Sequence, residues 1–457
     1  MLFRSPIPRV ADPDDSSPGV LSGSLAYLLS LGNRLISSLR ANAEFLSHGV
    51  YLWLCERQLR PQFWVFLAAS FFFDLGVSAY FFLFNLFLMG RGYSEAQLGV
   101  LTSALALGTL AGAFPAGHLI QRVGLQKGLL ICLVLVPGIL CARALLPTYA
   151  LQIPIAVITG IALSLWAVCV SPAVAATTSE RERPFAFSIL FSIGIGVGAL
   201  GALLGSRLPA LFAEASARHH LPAPDQLALI ASCLFAVLGV IPASAVRILS
   251  RTHNSINRPP MLSRSLLRFL LAVALWGIVT GSFSPFANVF FAAHFRMRLP
   301  QIGTVFSISQ VAQVCAVLAA PLVLRRWGTA AGVALTQFAT SLCFLILAAS
   351  SHAAIAASVY VALTALQWMN EPGIYSMLMS IVPEKQRAGA SASMSFTLSC
   401  SQLLAAASAG WAFKNFGYPP TLRAIAVVAI IAAAMFMLLP SQNMAATQPY
   451  APEGSAG

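Results

Sequence analysis

Two carboxylic acids, Asp74 and Glu371, stand inside long apolar runs, whereas the other twelve Asp and Glu fall in termini or loops. A carboxylate facing hydrocarbon is strongly disfavoured, so each must face protein or a wet cavity. No Lys or Arg is expected at the same depth, and an acid without a fixed cation can take up and release a proton. The chemistry this pair offers is proton coupling. The competing reading is structural: each acid stays neutral and bonds to Asn, Ser or backbone, and Glu371 serves the kink that Pro372 makes by freeing a carbonyl. Helical spacing gives each acid a polar stripe. On one side run Asp74, Ser78, Phe81 and Asn85; on the other run Thr364, Gln367, Glu371 and Tyr375. Trp276, Thr280, Ser284 and Asn288 form a third stripe, and Trp166 with Ser164 and Ser171 a weaker fourth. Ser78, Phe81, Asn85, Trp166, Trp276, Thr280, Ser284, Asn288, Gln367 and Tyr375 are the candidate substrate contacts. For Asn85 and Asn288 a shared packing role competes with binding.

The elements that carry these stripes are membrane spans. The chain has 457 residues, 58% hydrophobic and only 9% charged, against about 25% charged in soluble domains. Its apolar runs approach the length of about 20 residues that crosses a bilayer as a helix. Twelve spans are expected: 63–90, 96–120, 127–146, 150–175, 185–211, 227–248, 267–293, 300–324, 329–349, 354–381, 388–412 and 419–440. Residues 1–62 read as a cytoplasmic segment, polar and disordered at first and then an interfacial amphipathic helix. Residues 249–266 read as a cytoplasmic linker, and 441–457 as a cytoplasmic tail. The net charge of +13 does not call for nucleic acid. With the N-terminus in the cytoplasm, about 19 of the 27 Lys and Arg fall on that side, which is the positive-inside pattern. The eight cysteines lack metal or redox spacing and read as small buried hydrophobes. His219-His220 is too small a group to propose a metal site.

The chain is also doubled. Gln97, Gly99 and Ser103 return as Gln301, Gly303 and Ser307, each 204 residues on. The basic turn Gln121-Arg122-Val123-Gly124 is answered by Arg325-Arg326-Trp327-Gly328, and Asn85 by Asn288. Two homologous halves, 63–248 and 267–440, follow from that offset. Gly124 and Gly328 permit a sharp reversal at positive φ, and Arg122 and Arg326 stay at the anionic surface.

Two six-span halves joined by a basic linker, with Gly117-His118-Leu119-Ile120-Gln121-Arg122-Val123-Gly124 and Lys127 between spans 2 and 3, resemble the major facilitator superfamily. Of that family's Gly-x-Leu-x-Asp-Arg-x-Gly-Arg-Lys signature, Gly117, Leu119, Arg122 and Gly124 match. Gln121 replaces the acid and Leu125 an Arg. The resemblance implies an all-α fold of twelve transmembrane helices in two six-helix halves. It also implies a substrate cavity lined by spans 1, 4, 7 and 10, and a monomer. Apart from the family, a turn that joins packed helices must move when they rock, which gives Gly117, Arg122, Gly124, Arg326 and Gly328 a gating role; the competing reading is a topogenic turn and nothing more. Gly194, Gly196, Gly198, Gly201 and Gly205 in span 5 are similar to the glycine-rich stretch of drug/proton antiporters, without its Gly-Pro pair.

The expected function is proton-coupled secondary active transport of a small organic molecule by alternating access, with no cofactor and no enzymatic chemistry. The spans offer no nucleotide-binding loop and no nucleophile with a base. Arg143 is read as extending to the outer surface, and Gln310, Gln313 and Gln337 as bonding between helices. That leaves the cavity without a cation. Two acids and several aromatics then suit an amphipathic neutral or cationic compound, and export. The alternatives are uptake of a neutral solute by proton symport, and a membrane sensor or scaffold that transports nothing. Three Lys against 24 Arg, with abundant Ala, fit a GC-rich bacterial genome and hence an inner membrane.

Overall fold

The computed structural model describes residues 59–439, except 147, 179–182, 220–221, 247–262 and 384–385. All of the expected N-terminal segment before residue 59, most of the linker, the tail and His220 lie outside the described residues. Twelve helical rods cross the described part. They are α1 (Pro61–Gly90), α2 (Glu95–Val123), α3 (Leu125–Leu145), α4 (Tyr149–Thr177), α5 (Arg183–His219), α6 (Pro224–Ala245), α7 (Arg264–Ala293), α8 (Leu299–Trp327), α9 (Thr329–Ala349), α10 (Ala353–Ile381), α11 (Arg387–Phe416) and α12 (Tyr418–Met437). All but α11 contain a stretch long and apolar enough to count as a span on length and composition alone. Helix α11 is equally long but carries Ser391, Ser393, Ser395, Thr397, Ser399 and Ser401. Its hydroxyls can bond the preceding turn, as Ser401 does to Thr397 O at 2.9 Å, so they need no water.

The pairing of helices repeats between halves. In the first, α2 packs on α4, and α1 on α5 and α6; in the second, α8 packs on α10, and α7 on α11 and α12. The halves meet by exchange: α2 packs on α11, and α5 on α8. Glycines make the close approaches. The Cα of Gly201 faces Ser78 and that of Gly205 faces Ala79 O, so α5 lies tight on α1. The outward faces stay apolar, with Phe191, Leu318, Leu322, Leu404 and Leu438 all more than half exposed, as a lipid-facing surface requires.

The basic turns are shorter than expected. Gln121, Arg122 and Val123 still belong to α2, and Arg325, Arg326 and Trp327 to α8. One glycine makes each reversal, Gly124 at φ 86° and Gly328 at φ 81°. Helix α5 runs eight residues past the expected end at 211, to His219. The polar stretch after 211 contains no helix breaker and carries the i,i+4 pair Glu214–Arg218 at 3.4 Å.

Candidate functional site: a central cavity under a two-fold latch

The end of the bundle that holds Gly90, Glu95 and Tyr418 is termed distal here, and the end that holds Pro61, Val123 and Trp327 proximal. A cavity of about 330 Å³ lies between the halves. Ser78, Phe81, Asn85, Ser284 and Asn288 line it, as the sequence stripes predict. Helices α1 and α7 supply these five because both stripes face the partner half. Asp74 is one turn proximal of Ser78 on the same face of α1. It is partly exposed, and its carboxyl bonds no described residue. Glu371 is likewise partly exposed on α10 and unpaired among described residues. The one ion pair among them is Glu214–Arg218.

Neither acid is among the residues that line this cavity, and the other candidates sit elsewhere too. Trp166 packs on Phe73 and Phe66, with ring centroids 4.5 and 6.5 Å away. Trp276 is 1% exposed, with its indole N–H unpaired among described groups. Thr280 Oγ1 accepts from Gln402 Nε2 at 3.2 Å, within the second half. Gln367 is partly exposed and Tyr375 exposed on α10, and neither borders this cavity. Arg122 and Arg326 are exposed at the proximal turns, and open space surrounds the Cα of Gly117.

Two readings need correction. Arg143 does not extend to the surface. It is 2% exposed, borders the cavity, and lays its guanidinium 4.4 Å over the Phe84 ring. The cavity therefore has a cation on its wall. Gln337 does not bond between helices: it is fully buried with neither amide atom paired to a described group, while Gln310 lines the cavity.

The distal roof is built from the repeat. Asn85 Nδ2 donates to Pro285 O at 2.8 Å, and Asn288 Nδ2 donates to Phe82 O at 2.9 Å. The offset of 203 that relates the two asparagines also relates the two carbonyls. Ser103 Oγ donates to Leu403 O at 2.6 Å, and Ser307 Oγ to Ala199 O at 2.8 Å, now with an offset of 204. Gly99 lies against Ala406 O and Gly303 against Ala202 O, again 204 apart. Gln97 and Gln301 hold the helix starts: Oε1 accepts from Ser94 N at 2.9 Å in α2 and from Arg298 N at 3.0 Å in α8. Tyr418 Oη adds a bond to Glu95 Oε1 at 3.3 Å. These are the hydrogen bonds between halves among the described residues, and every donor lies in the distal third of its span. The skeleton Gln-x-Gly-x-x-x-Ser is thus a cap, a close approach and a latch in sequence order.

Both asparagines serve the latch while bordering the cavity. Replacing Asn85 and Asn288 together by Ala removes two bonds worth about 1 kcal/mol each. The distal-closed population should fall about 30-fold relative to the open one. Spin labels on α2 and α11 near Glu95 and Phe416, measured by double electron–electron resonance, should show a new longer distance. An unchanged distribution would mean that the asparagines are not part of the latch.

A family model described as the Major Facilitator Superfamily matches residues 66–372 and 269–454. A search of curated protein sequences returns no match. Among solved structures, a mutant of the nucleoside transporter NupG superposes with a TM-score of 0.71 at 12% identity, covering 83% of this chain and 99% of that one. A bacterial homologue of the iron transporter ferroportin, in an inward-facing state, gives 0.67 at 13% identity over 82% and 98%. A bacterial homologue of the human lysosomal transporter Spinster, inward-facing and unoccupied, gives 0.65 at 12% identity over 83% and 97%. With its doubled six-helix halves, central cavity and latched distal roof, the chain belongs to the major facilitator superfamily and is a membrane transporter.

Proposed function

We propose that the chain is a proton-coupled symporter of a small amphipathic organic solute without positive charge, with both termini in the cytoplasm of an inner membrane. The observation that carries this reading is the pair Asp74 and Glu371, one acid from each half, inside α1 and α10 and without an ion-pair partner among described residues. With the basic ends facing the cytoplasm, the latched distal end is the outer one and the cavity belongs to the inward-facing state. Export of an amphipathic neutral or cationic compound is the expectation from the sequence, and it rests on a cavity free of Lys and Arg. Arg143 removes that argument. A cation and a proton compete for the same carboxylate, which gives exchange; a solute without positive charge has no reason to displace the proton, so both bind together. Aromatic walls from Phe81, Phe82, Phe84 and Phe306 suit a solute with an apolar body.

The test uses proteoliposomes loaded with a pH-sensitive dye. Benzoate, benzyl alcohol and benzylamine derivatives are added in turn under an inward proton gradient. Symport predicts that compounds without positive charge acidify the lumen faster than in protein-free vesicles, where benzoic acid enters by itself, and that a protonophore abolishes the protein-dependent accumulation. If only cationic compounds move, and they alkalinise the lumen, the exporter reading replaces this one. If nothing moves, the scaffold reading does.

A further inference from the structure

We infer that Arg143 is the recognition group for a carboxylate on the transported solute. This deepens the symport reading and rests on it for the word transported. Arg143 stands in the last turn of α3, where a cation would ordinarily reach the surface, yet it is 2% exposed. A buried cation needs a partner, and the described residues give it none of opposite charge. Its Nε donates to Gln152 Oε1 at 3.2 Å. Both donors of Gln152 Nε2 are spent, on Arg143 O and Leu146 O, each at 2.7 Å. Phe84 covers one face of the guanidinium. Tyr80 beside it donates its hydroxyl to Leu140 O at 2.9 Å and is fully buried. The two terminal nitrogens therefore donate to no described residue, and the residue borders the cavity.

This arrangement fixes a fork. Gln152 sets the guanidinium through Nε and the aromatic face holds its plane, so the paired terminal N–H groups are preorganised. A planar carboxylate matches such a fork with two parallel hydrogen bonds. Asn85, Ser284 and Gln310 add neutral polar groups to the lining of the same cavity, and Phe81 and Phe306 apolar ones. The solute that fits has a carboxylate at one end and an aromatic or aliphatic body at the other. Its entry would also supply the charge that Arg143 lacks.

The test is thermal unfolding of the purified full-length protein in detergent with three near-isosteric probes: benzoate, benzyl alcohol and benzylammonium. Benzoate should raise the transition temperature of the parent, and the other two should not. In Arg143→Gln the affinity for benzoate should fall about 30-fold or more, the effect of removing one partner of a desolvated charge pair. Arg143→Lys keeps the charge, loses the fork and should fall between. A second measurement holds if these variants do not fold. In the parent, benzoate should slow phenylglyoxal labelling of Arg143, read by peptide mass spectrometry, and leave exposed Arg122 unaffected. Equal shifts from all three probes, a benzoate response that survives Arg143→Gln, or no protection of Arg143 would each overturn the inference. So would an equal shift from sodium chloride, which would make the site one for an inorganic counter-ion. The Asp74→Asn, Glu371→Gln protein separates this result from the symport reading. Benzoate should still stabilise it when proton-driven flux is gone.

Discussion

Gly99→Leu is expected to abolish transport by at least about 100-fold while the protein stays folded, and Gly303→Leu to do the same from the other half. A Cβ at Gly99 would stand 2.6 Å from Ala406 O and 3.1 Å from Gly410 Cα. At Gly303 it would meet the Ser206 side chain and stand 2.8 Å from Ala202 O. Backbone atoms of the opposing half cannot step aside, so the halves must separate at the distal end. Overpacking a fitted interface costs about 1–3 kcal/mol even where neighbours can yield. Here the cost falls on one state only, because the contact exists only while the roof is closed. A ligand or mutation shifts a two-state equilibrium by its differential free energy between the states, and about 3 kcal/mol is more than a hundredfold. Cavity-lining Ser284, changed to Cys in a cysteine-free background, should then react with a membrane-impermeant thiol reagent added from the distal side. Gly108 is the control. Its Cα lies on Val157 O within the first half, so Gly108→Leu should lower expression and melting temperature instead of trapping one state. Parental transport by both Gly99→Leu and Gly303→Leu would show that these approaches are not made during the cycle. Gly99→Ala offers a milder version if leucine prevents insertion.

The repeat made this gate visible without explaining it. Gln97, Gly99, Ser103 and their counterparts stand out in the sequence because they recur, and recurrence says only that both halves need them. Their partners, Leu403 O, Ala199 O, Ala406 O and Ala202 O, are backbone carbonyls. Any residue supplies a carbonyl, so no side-chain pattern marks those positions. The same holds for Asn85 and Asn288, whose acceptors are Pro285 O and Phe82 O. Eleven of the twelve spans were legible because length and hydropathy decide them, and the two halves because the offset of 204 does. Arg143 was not, because its place near a span end fits a surface cation equally well. The one clue was Gln152 nine residues on, across the turn to α4, and a lone Gln near a span end does not stand out. Trp276 misled in the opposite sense: an aromatic on the stripe of Thr280 and Ser284 looks like a cavity wall, yet it is buried at 1% exposure and does not border the cavity. A stripe one residue wide in sequence spans two different neighbours once α7 is covered by both halves.

Asp74→Asn is the second large effect expected, and it is selective. Asparagine has the shape of a protonated aspartic acid but cannot release the proton. The variant should bind solute and exchange it across the membrane, since exchange needs no net proton movement. It should lose the part of the accumulation that the Asp74 proton drives, because the step that empties that acid is gone. Each coupled proton lets a one-unit pH difference sustain about tenfold accumulation, since one unit is about 1.36 kcal/mol. If both acids carry a proton, the parent reaches about 100-fold, Asp74→Asn and Glu371→Gln each about tenfold, and the double variant none. If one acid carries the proton and the other braces its helix, only one single variant loses accumulation. The other then loses melting temperature, and Glu371 is the stronger candidate for that bracing role. It precedes Pro372 in α10, next to Asn370, which is buried and accepts from Thr336 Oγ1 at 2.9 Å. The assay is counterflow and gradient-driven uptake measured side by side in one proteoliposome preparation. Full accumulation by the double variant would remove both acids from the coupling step. The energy source would then have to be sought among groups the cavity shares with the solute itself.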